Sequence, residues 1–424
     1  MKLSRKYKPK GSLIAALDIG SSKVACFIGR VSDDEGCFEI LGVGNYASKG
    51  VRNGTIVDIG AAESVIRQTV HAAENMAASV MKGYPLREVV VNLPGVHARS
   101  YSQVANVQIS GHEVTEQDVR RAMAKAQEQI ISRDHELVHT IPVGYRIDGH
   151  DGIREPRGMY GQTMEVDIHM LTGEMGALQN MASCTQHSHL DIEALCVSSY
   201  AAGLSSLMQD EMDLGCTVID MGGGVTSMSV FHDGGVVFCD AIPIGGAHVT
   251  SDIAKGFSTS VIDAERLKTL YGSAIASISD EKEMIDVPRL GEEDRKEPNH
   301  MARSLLVGII QPRVEEIFEL TRARLKDSDL GAILGRRVVL TGGASQIPGV
   351  RDLAEHVMDK HVRLGKPMHY KGLPDAVSGA SYATTAGLLS YVAQHSDQMP
   401  AHIMRDVEQG NLFGRVKTWL KENW

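Results

Sequence analysis

The chain reads as an α/β protein built of two like lobes, and three observations predict it. An Asp-x-Gly hairpin occurs twice in matched settings, as LDIGSSKVACFIG at 17–29 and as VIDMGGGVTSMSVF at 218–231. In each, an apolar run meets an Asp, then small residues, then a second β-rich run, the pattern of strand, tight turn and strand. A glycine turn, Thr341-Gly342-Gly343, then joins an apolar strand to the helical segment RDLAEHVMDKH. One such hairpin would be ordinary, because β-turns favour Asp and Gly. Repetition makes it informative: Asp18 and Asp220 stand 202 positions apart, room for one α/β unit and an insertion before its duplicate begins. With 424 residues, 43% of them hydrophobic, the chain can bury at least two substantial cores.

Taken in order, MKLSRKYKPK is basic, but the apolar run SLIAAL after it is too short for a signal peptide. In the first hairpin, small turn residues let backbone N–H groups converge on phosphate oxygens, and a strand-end carboxylate can hold Mg²⁺ through its water shell. Residues 86–163 read as a small β-α-β insertion: the strands EVVVNLPG and SQVANVQIS, the helix VTEQDVRRAMAKAQEQI, and the strand HTIPVGYRIDG. Thr115 caps its helix, with Asp118 at the capping-box position. His135 and His139 fit the HExxH zinc signature, but the helix has ended before them and Pro142 follows. On a strand, side chains four apart are separated by ~13 Å, too far for one metal. His187 and His189 read as surface residues before a strand. The segments IEALCVSSYAAGLSSL from Ile192 and YATTAGLL from Tyr382 carry Ala, Gly, Ser and Thr, as closely crossing helices require. Gly222, Gly223 and Gly224 make the second hairpin the better phosphate grip. After Thr341, the helix start adds a favourable dipole.

Composition excludes several classes. A formal charge of −10 offers no basic field to nucleic acid. The six cysteines are scattered without CxxC, the usage of a reducing cytosol. No uninterrupted apolar run is long enough to span a bilayer. The end of the chain is different in kind. In NLFGRVKTWLKENW, Leu412, Phe413, Val416, Trp419, Leu420 and Trp424 fall on one helical arc roughly 140° wide, interrupted only by Asn423. Arg415, Lys417 and Lys421 lie off it. Both tryptophans of the protein are here, where indole suits a headgroup boundary, so the segment reads as an interfacial amphipathic helix. The alternative is a terminal helix docked on the core.

The order of hairpin, hairpin and glycine turn resembles the actin, Hsp70 and sugar-kinase superfamily: phosphate-1, phosphate-2 and adenosine motifs. The small-residue helices then resemble that superfamily's two connecting helices at the hinge. Within it, the chain resembles the FtsA family of bacterial cell-division proteins. The resemblance runs from about Leu13 to Leu389 and returns at the terminal helix. It rests on HELVHTIPVGYRIDG, IPIGGAHVTSDIAKGFSTSVIDAERLK, IIQPRVEEIFEL and the early ILGVG with SKG.

That resemblance implies an actin-like, RNase H-like duplicated fold divided as follows: a basic tail at 1–11; subdomain 1A at 12–85 and 164–203; subdomain 1C, in place of actin's 1B, at 86–163; subdomain 2A at 204–250 and 336–392; subdomain 2B at 251–335; a linker at 393–410; and a membrane helix at 411–424. It implies ATP and Mg as cofactors, with Asp18, Gly20, Ser21, Ser22 and Lys23 as phosphate-1 and Asp220, Gly222, Gly223 and Gly224 as phosphate-2. Asp18 and Asp220 would hold Mg through water. Gly342 and Gly343 would approach ribose and α-phosphate, Gly245 and Gly246 would open a helix beside the cleft, and Glu265 with Lys268 would hold adenosine. The alternative for that i, i+3 pair is a solvated ion pair. The catalytic residue is unassigned: where actin carries a glutamine, the aligned residue is Ala194, and Glu193 beside it would point about 100° away on a helix. Slow or absent hydrolysis follows. Implied partners are the FtsZ C-terminal peptide at subdomain 2B, with Arg303 as the basic contact, further copies in a filament, later division proteins at 1C, and anionic lipid at the cytoplasmic face of the inner membrane, at the septum. Other actin-like scaffolds of PilM or MreB type, and a sugar kinase, are the alternatives; an Hsp70-like chaperone would need a substrate domain after the core.

Overall fold

The computed structural model describes residues 7–33, 36–128, 134–290, 299–328 and 330–394. The expected membrane helix at 411–424 and most of the linker before it lie outside these residues, as do positions 1–6 of the basic tail.

The chain begins with β1 (Leu13–Ile19), β2 (Lys23–Val31) and β3 (Phe38–Ala47), then a short hairpin, β4 (Val51–Arg52) and β5 (Thr55–Ile56). Helices α1 (Ile59–Met76) and α2 (Ala78–Met81) lead to β6 (Glu88–Leu93). Next come β7 (Ala98–Gln108), α3 (Glu116–Gln127), β8 (His135–Ile147), β9 (His150–Ile153) and β10 (Thr163–Glu174). The first lobe is completed by α4 (Met175–His187) and β11 (Asp191–Val197), after which α5 (Ser198–Ser206) crosses to pack on the second lobe's sheet. The second lobe holds α6 (Gln209–Leu214), β12 (Cys216–Met221), β13 (Thr226–His232), β14 (Gly235–Ile242), α7 (Gly246–Phe257) and α8 (Val261–Tyr271). It continues with β15 (Met284–Asp286), β16 (His300–Ala302), α9 (Arg303–Lys326), β17 (Arg337–Thr341), α10 (Val350–Met358) and β18 (His361–Leu364), after which α11 (Ala383–Gln394) returns to pack in the first lobe's core.

Duplication is explicit in the sheets. The first has the order β11-β6-β1-β2-β3 and the second β18-β17-β12-β13-β14. In each, the leading three strands are antiparallel and the other two join parallel. Asp18 and Asp220 occupy the same register, one position before the end of β1 and of β12. These central strands read as continuous apolar runs because both faces are covered, and a crevice opens at their carboxyl ends.

The hinge is the α5–α11 crossing. Every residue of α5 is buried, as are Ala383 to Ala393 of α11. A Cβ on Gly387 would lie 1.6 Å from the Ala201 carbonyl oxygen, and one on Gly203 would lie 2.3 Å from the Phe231 ring. Only glycine admits that approach.

Several expected boundaries shift. Residues 192–197 are strand β11, so the first connecting helix begins at Ser198 rather than Ile192; the β-branched and apolar IEALCV run pairs with β6 instead. β6 belongs to the first lobe's sheet and β10 to the insertion's sheet, whose order is β7-β10-β8-β9. The insertion therefore covers β7 to β10, not 86–163. The divisions at 203/204 and 250/251 fall inside α5 and α7, and α11 continues past 392 to Gln394. His135 and His139 stand on β8, His139 wholly buried.

Candidate functional site

A cleft of about 800 Å³ lies between the lobes. Its floor is made of two identical turns. Gly20 N donates to Lys23 O at 3.0 Å, and Gly222 N donates to Val225 O at 2.9 Å. A Cβ on either glycine would meet that carbonyl at 2.9 Å. The hairpins also touch one another across the lobes: a Cβ on Gly223 would fall 1.8 Å from Ser22 Oγ, and one on Gly224 would fall 2.6 Å from Ser21 Oγ. Small residues are required here by contact between hairpins rather than by backbone dihedrals.

Fourteen of the fifteen residues expected at a nucleotide line this cleft: Asp18, Gly20, Ser21, Ser22, Lys23, Asp220, Gly222, Gly223, Gly224, Gly246, Glu265, Lys268, Gly342 and Gly343. Gly245 does not. It backs the second hairpin, where a Cβ would meet Gly222 O at 2.4 Å. The first amides of α7 are spent on that hairpin too, with Gly246 N to Gly222 O at 2.9 Å and Ala247 N to Gly223 O at 2.7 Å. Gly342, at φ +85°, abuts Asp220, since a Cβ there would lie 2.3 Å from its Oδ1. A short 3-10 turn, Gly343–Gln346, separates this glycine from α10, so the start of α10 is not among the residues lining the cleft.

The two carboxylates are held by consecutive residues of one helix. Thr385 Oγ1 donates to Asp18 at 3.0 Å and Thr384 Oγ1 to Asp220 at 2.8 Å. Burial raises the Asp18 pKa, opposed by the Lys23 charge and the Thr385 hydrogen bond. Burial likewise lifts Asp220 to about 6, opposed by Thr384 and Lys23 and reinforced by Asp18. Lys23 is lowered by its own burial and restored in part by both carboxylates. Its ammonium sits 3.5 Å from the centre of the Tyr382 ring and donates to Ser381 O. Two recessed carboxylates facing one hairpin ammonium leave the floor short of positive charge, an arrangement that suits a divalent cation.

On the upper wall, Lys268 Nζ contacts Glu265 at 2.6 Å, Thr250 Oγ1 at 2.8 Å and Gly246 O at 3.2 Å. Lys268 is mostly buried and Glu265 half exposed, so the pair braces α8 against the opening of α7 rather than standing free in solvent.

One expectation needs correction. Glu193 and Ala194 lie in β11, where a helical angle between them has no meaning; Glu193 is buried and ion-paired to Lys8. The residue that this stretch sends to the cleft is Ser198. Arg303, expected as the basic peptide contact, is engaged within the chain. Its Nε donates to Tyr271 O at 2.7 Å, and its Nη1 reaches Asp280 at 2.7 Å and Glu283 at 3.2 Å. Asp280 is 1% exposed.

Sequence reasoning passed over Asn92, Ser198, Thr250, Thr384 and Thr385. Asn92 Oδ1 accepts from Ile19 N at 2.7 Å, and its Nδ2 donates to Ser198 Oγ at 3.2 Å. Its signal was a lone polar residue in EVVVNL; for the threonines, it was a polar pair inside an otherwise small and apolar helix.

Two like-built lobes, paired Asp-Gly hairpins and a helix-crossing hinge define an actin-like fold. Solved structures agree. The PilM–PilN type IV pilus biogenesis complex matches with a TM-score of 0.62 at 15% identity, covering 90% of this chain and 98% of that one. MreB5 of Spiroplasma citri bound to ADP matches with a TM-score of 0.52 at 14% identity, covering 90% and 97%. Sequence comparison is more specific. The family description "Cell division protein FtsA" matches residues 217–387, and "SHS2 domain inserted in FTSA" matches residues 95–172, close to the span from β7 to β10. Cell division protein FtsA of Rhizobium meliloti (strain 1021) is 40% identical over 98% of this chain and 96% of its own. Those of Pseudomonas aeruginosa and Escherichia coli (strain K12) are 34% and 32% identical, over 98% and 97% of this chain and 99% and 98% of theirs. The chain belongs to the FtsA family of cell-division proteins.

Proposed function

We propose that this protein binds ATP with Mg between its lobes, assembles into filaments on the cytoplasmic face of the inner membrane, and tethers FtsZ there. The observation that carries the nucleotide part is the matched pair of hairpins, each with its threonine-held carboxylate, in a cleft of about 800 Å³. An MreB5 of this fold is described as bound to ADP, which supports the reading. Asp18 and Asp220 would hold Mg, and backbone at Gly20 to Ser22 and Gly222 to Gly224 would face the phosphates. Lys23 would supply the fixed positive charge. Bound Mg would neutralise phosphate charge; turnover is slow or absent, and the nucleotide acts as an assembly switch.

Family membership supports the rest. Subdomain 2B would receive the FtsZ C-terminal peptide, with Arg303 ordering that surface through Asp280, and the insertion would receive later division proteins. No helix among the described residues is long and apolar enough to cross a membrane. Attachment is assigned to 411–424, where an apolar stripe beside Arg415, Lys417 and Lys421 favours reversible binding to anionic lipid. One such helix binds weakly, and a filament multiplies it. Co-sedimentation with anionic liposomes, with and without FtsZ, tests this. The parent should pellet and carry FtsZ with it. Trp419→Glu should stay in the supernatant while still binding FtsZ peptide; if it pellets like the parent, the tail is not the tether.

A further inference from the structure

The insertion from β7 to β10 touches both lobes through buried polar contacts. On the hinge side, His139 of β8 is wholly buried. Its Nε2 accepts from Val197 N at 3.4 Å, and its Nδ1 lies 3.2 Å from the Tyr391 hydroxyl of α11. Its ring meets Tyr200 of α5 and Tyr391 edge-on, at 5.6 Å and 5.3 Å. The insertion thus rests on both helices of the crossing.

On the other side, a chain of hydrogen bonds runs from the hinge through the second lobe into the insertion. Ser229 Oγ of β13 donates to Ser199 Oγ of α5 at 2.7 Å and sits 3.2 Å from Cys239 Sγ of β14. Cys239 N donates to Ser100 Oγ of β7 at 3.3 Å, and Ser100 Oγ lies 2.6 Å from His169 Nε2 of β10. Ser199, Ser229, Cys239 and His169 are all buried. Burial also pushes the His169 pKa down to about 4. Its neutral ring can accept the Ser100 proton at Nε2 while Ser100 accepts from Cys239 N. Where the insertion begins, Gly95 packs against β14, with Ala241 Cβ 2.8 Å from where a Cβ would stand.

The geometry points to the insertion acting as a strut between the lobes. Rotation about the α5–α11 crossing must leave the insertion with one lobe and break its link to the other, either Ser100–Cys239 on the second lobe or His139–Tyr391 on the α11 side. Buried polar links resist such a break, because each group left unpaired pays its full desolvation. Cleft opening and insertion orientation are therefore coupled, and a ligand acting on one must act on the other. Thr384 and Thr385 on α11 place the cleft carboxylates on the same helix as Tyr391, about two turns away.

The test needs no nucleotide. Spin labels are placed at Val57→Cys in the first lobe and Leu270→Cys in the second, both exposed, with the exposed Cys37 changed to Ser. Pulsed dipolar spectroscopy then reads the interlobe distance. In the parent the distribution should be narrow. Ser100→Ala and Tyr391→Phe should each populate a longer distance, with the open fraction rising about five-fold per lost hydrogen bond, the equivalent of ~1 kcal/mol, and further in the double variant. Identical distributions in the parent and in single variants that melt cooperatively overturn the strut. Release of a fluorescent ATP analogue, which rests on the nucleotide reading above, should quicken in the same order. A parent that binds no analogue sinks that reading and leaves the distance measurement to decide the strut.

Discussion

Replacing Asp220 by Asn should strengthen the ligand-free protein while removing its grip on Mg·ATP. Burial raises this carboxyl from the ordinary 3.8 to about 6, so the folded chain holds its proton over a pH range where the unfolded chain has released it. A carboxyl with a raised folded pKa lends stability below its unfolded pKa and loses it as pH climbs through the folded value. At neutral pH the ionisation cost from that shift is ~3 kcal/mol. Water in the open cleft screens part of it, leaving about 1–2 kcal/mol to recover on neutralisation. Asn keeps an oxygen to accept from Thr384, 2.8 Å away, and preserves side-chain volume. Urea denaturation of ligand-free protein should therefore show the variant more stable by about 1–2 kcal/mol near pH 7.5, with the gap closing toward pH 4. Equilibrium titration with a fluorescent ATP analogue and Mg should show weakened affinity in the same variant. Opposite signs for stability and binding are expected where a site stores unfavourable charge. A variant less stable than the parent near neutral pH would refute the claim that Asp220 is held at a cost.

Three further outcomes follow from particular contacts. Thr385→Val removes the 3.0 Å donor to Asp18 and should lower stability by about 1 kcal/mol in urea, whereas Thr385→Ser should not; equal loss in both would place the effect in packing. Gly223→Ala puts a methyl where Ser22 Oγ now lies 1.8 Å away, so analogue affinity should drop on the order of ten-fold, with part regained in Gly223→Ala/Ser22→Ala; no recovery would mean the hairpins do not meet there. Arg303→Glu strips buried Asp280 of its 2.7 Å partner and should cost about 2–4 kcal/mol by chemical denaturation, the lower figure allowing for the partly exposed guanidinium. Parental stability in that variant would mean that the Asp280 pair contributes nothing to the fold.

The sequence by itself determined the duplicated hairpins, the glycine turn after β17, the small-residue crossing and the hairpin residues that floor the cleft. These are local signals: turn chemistry, apolar period and residue size are set within a few positions. It misread the stretch after Ile192, because an apolar run of strand length followed directly by a buried helix carries no periodicity that marks the change. Only the tertiary structure could decide that β6 joins the first lobe's sheet by parallel pairing while β10 pairs antiparallel within the insertion, since strand partners lie far apart along the chain. The same holds for Thr384 and Thr385. Nothing near them in sequence names Asp18, 367 residues away, as an acceptor. Arg303 likewise reads as a surface cation until folding brings the Tyr271 carbonyl and buried Asp280 against its guanidinium. Charge and hydrogen-bonding capacity are written in the residue; whether they are already spent depends on which distant groups the fold sets beside it.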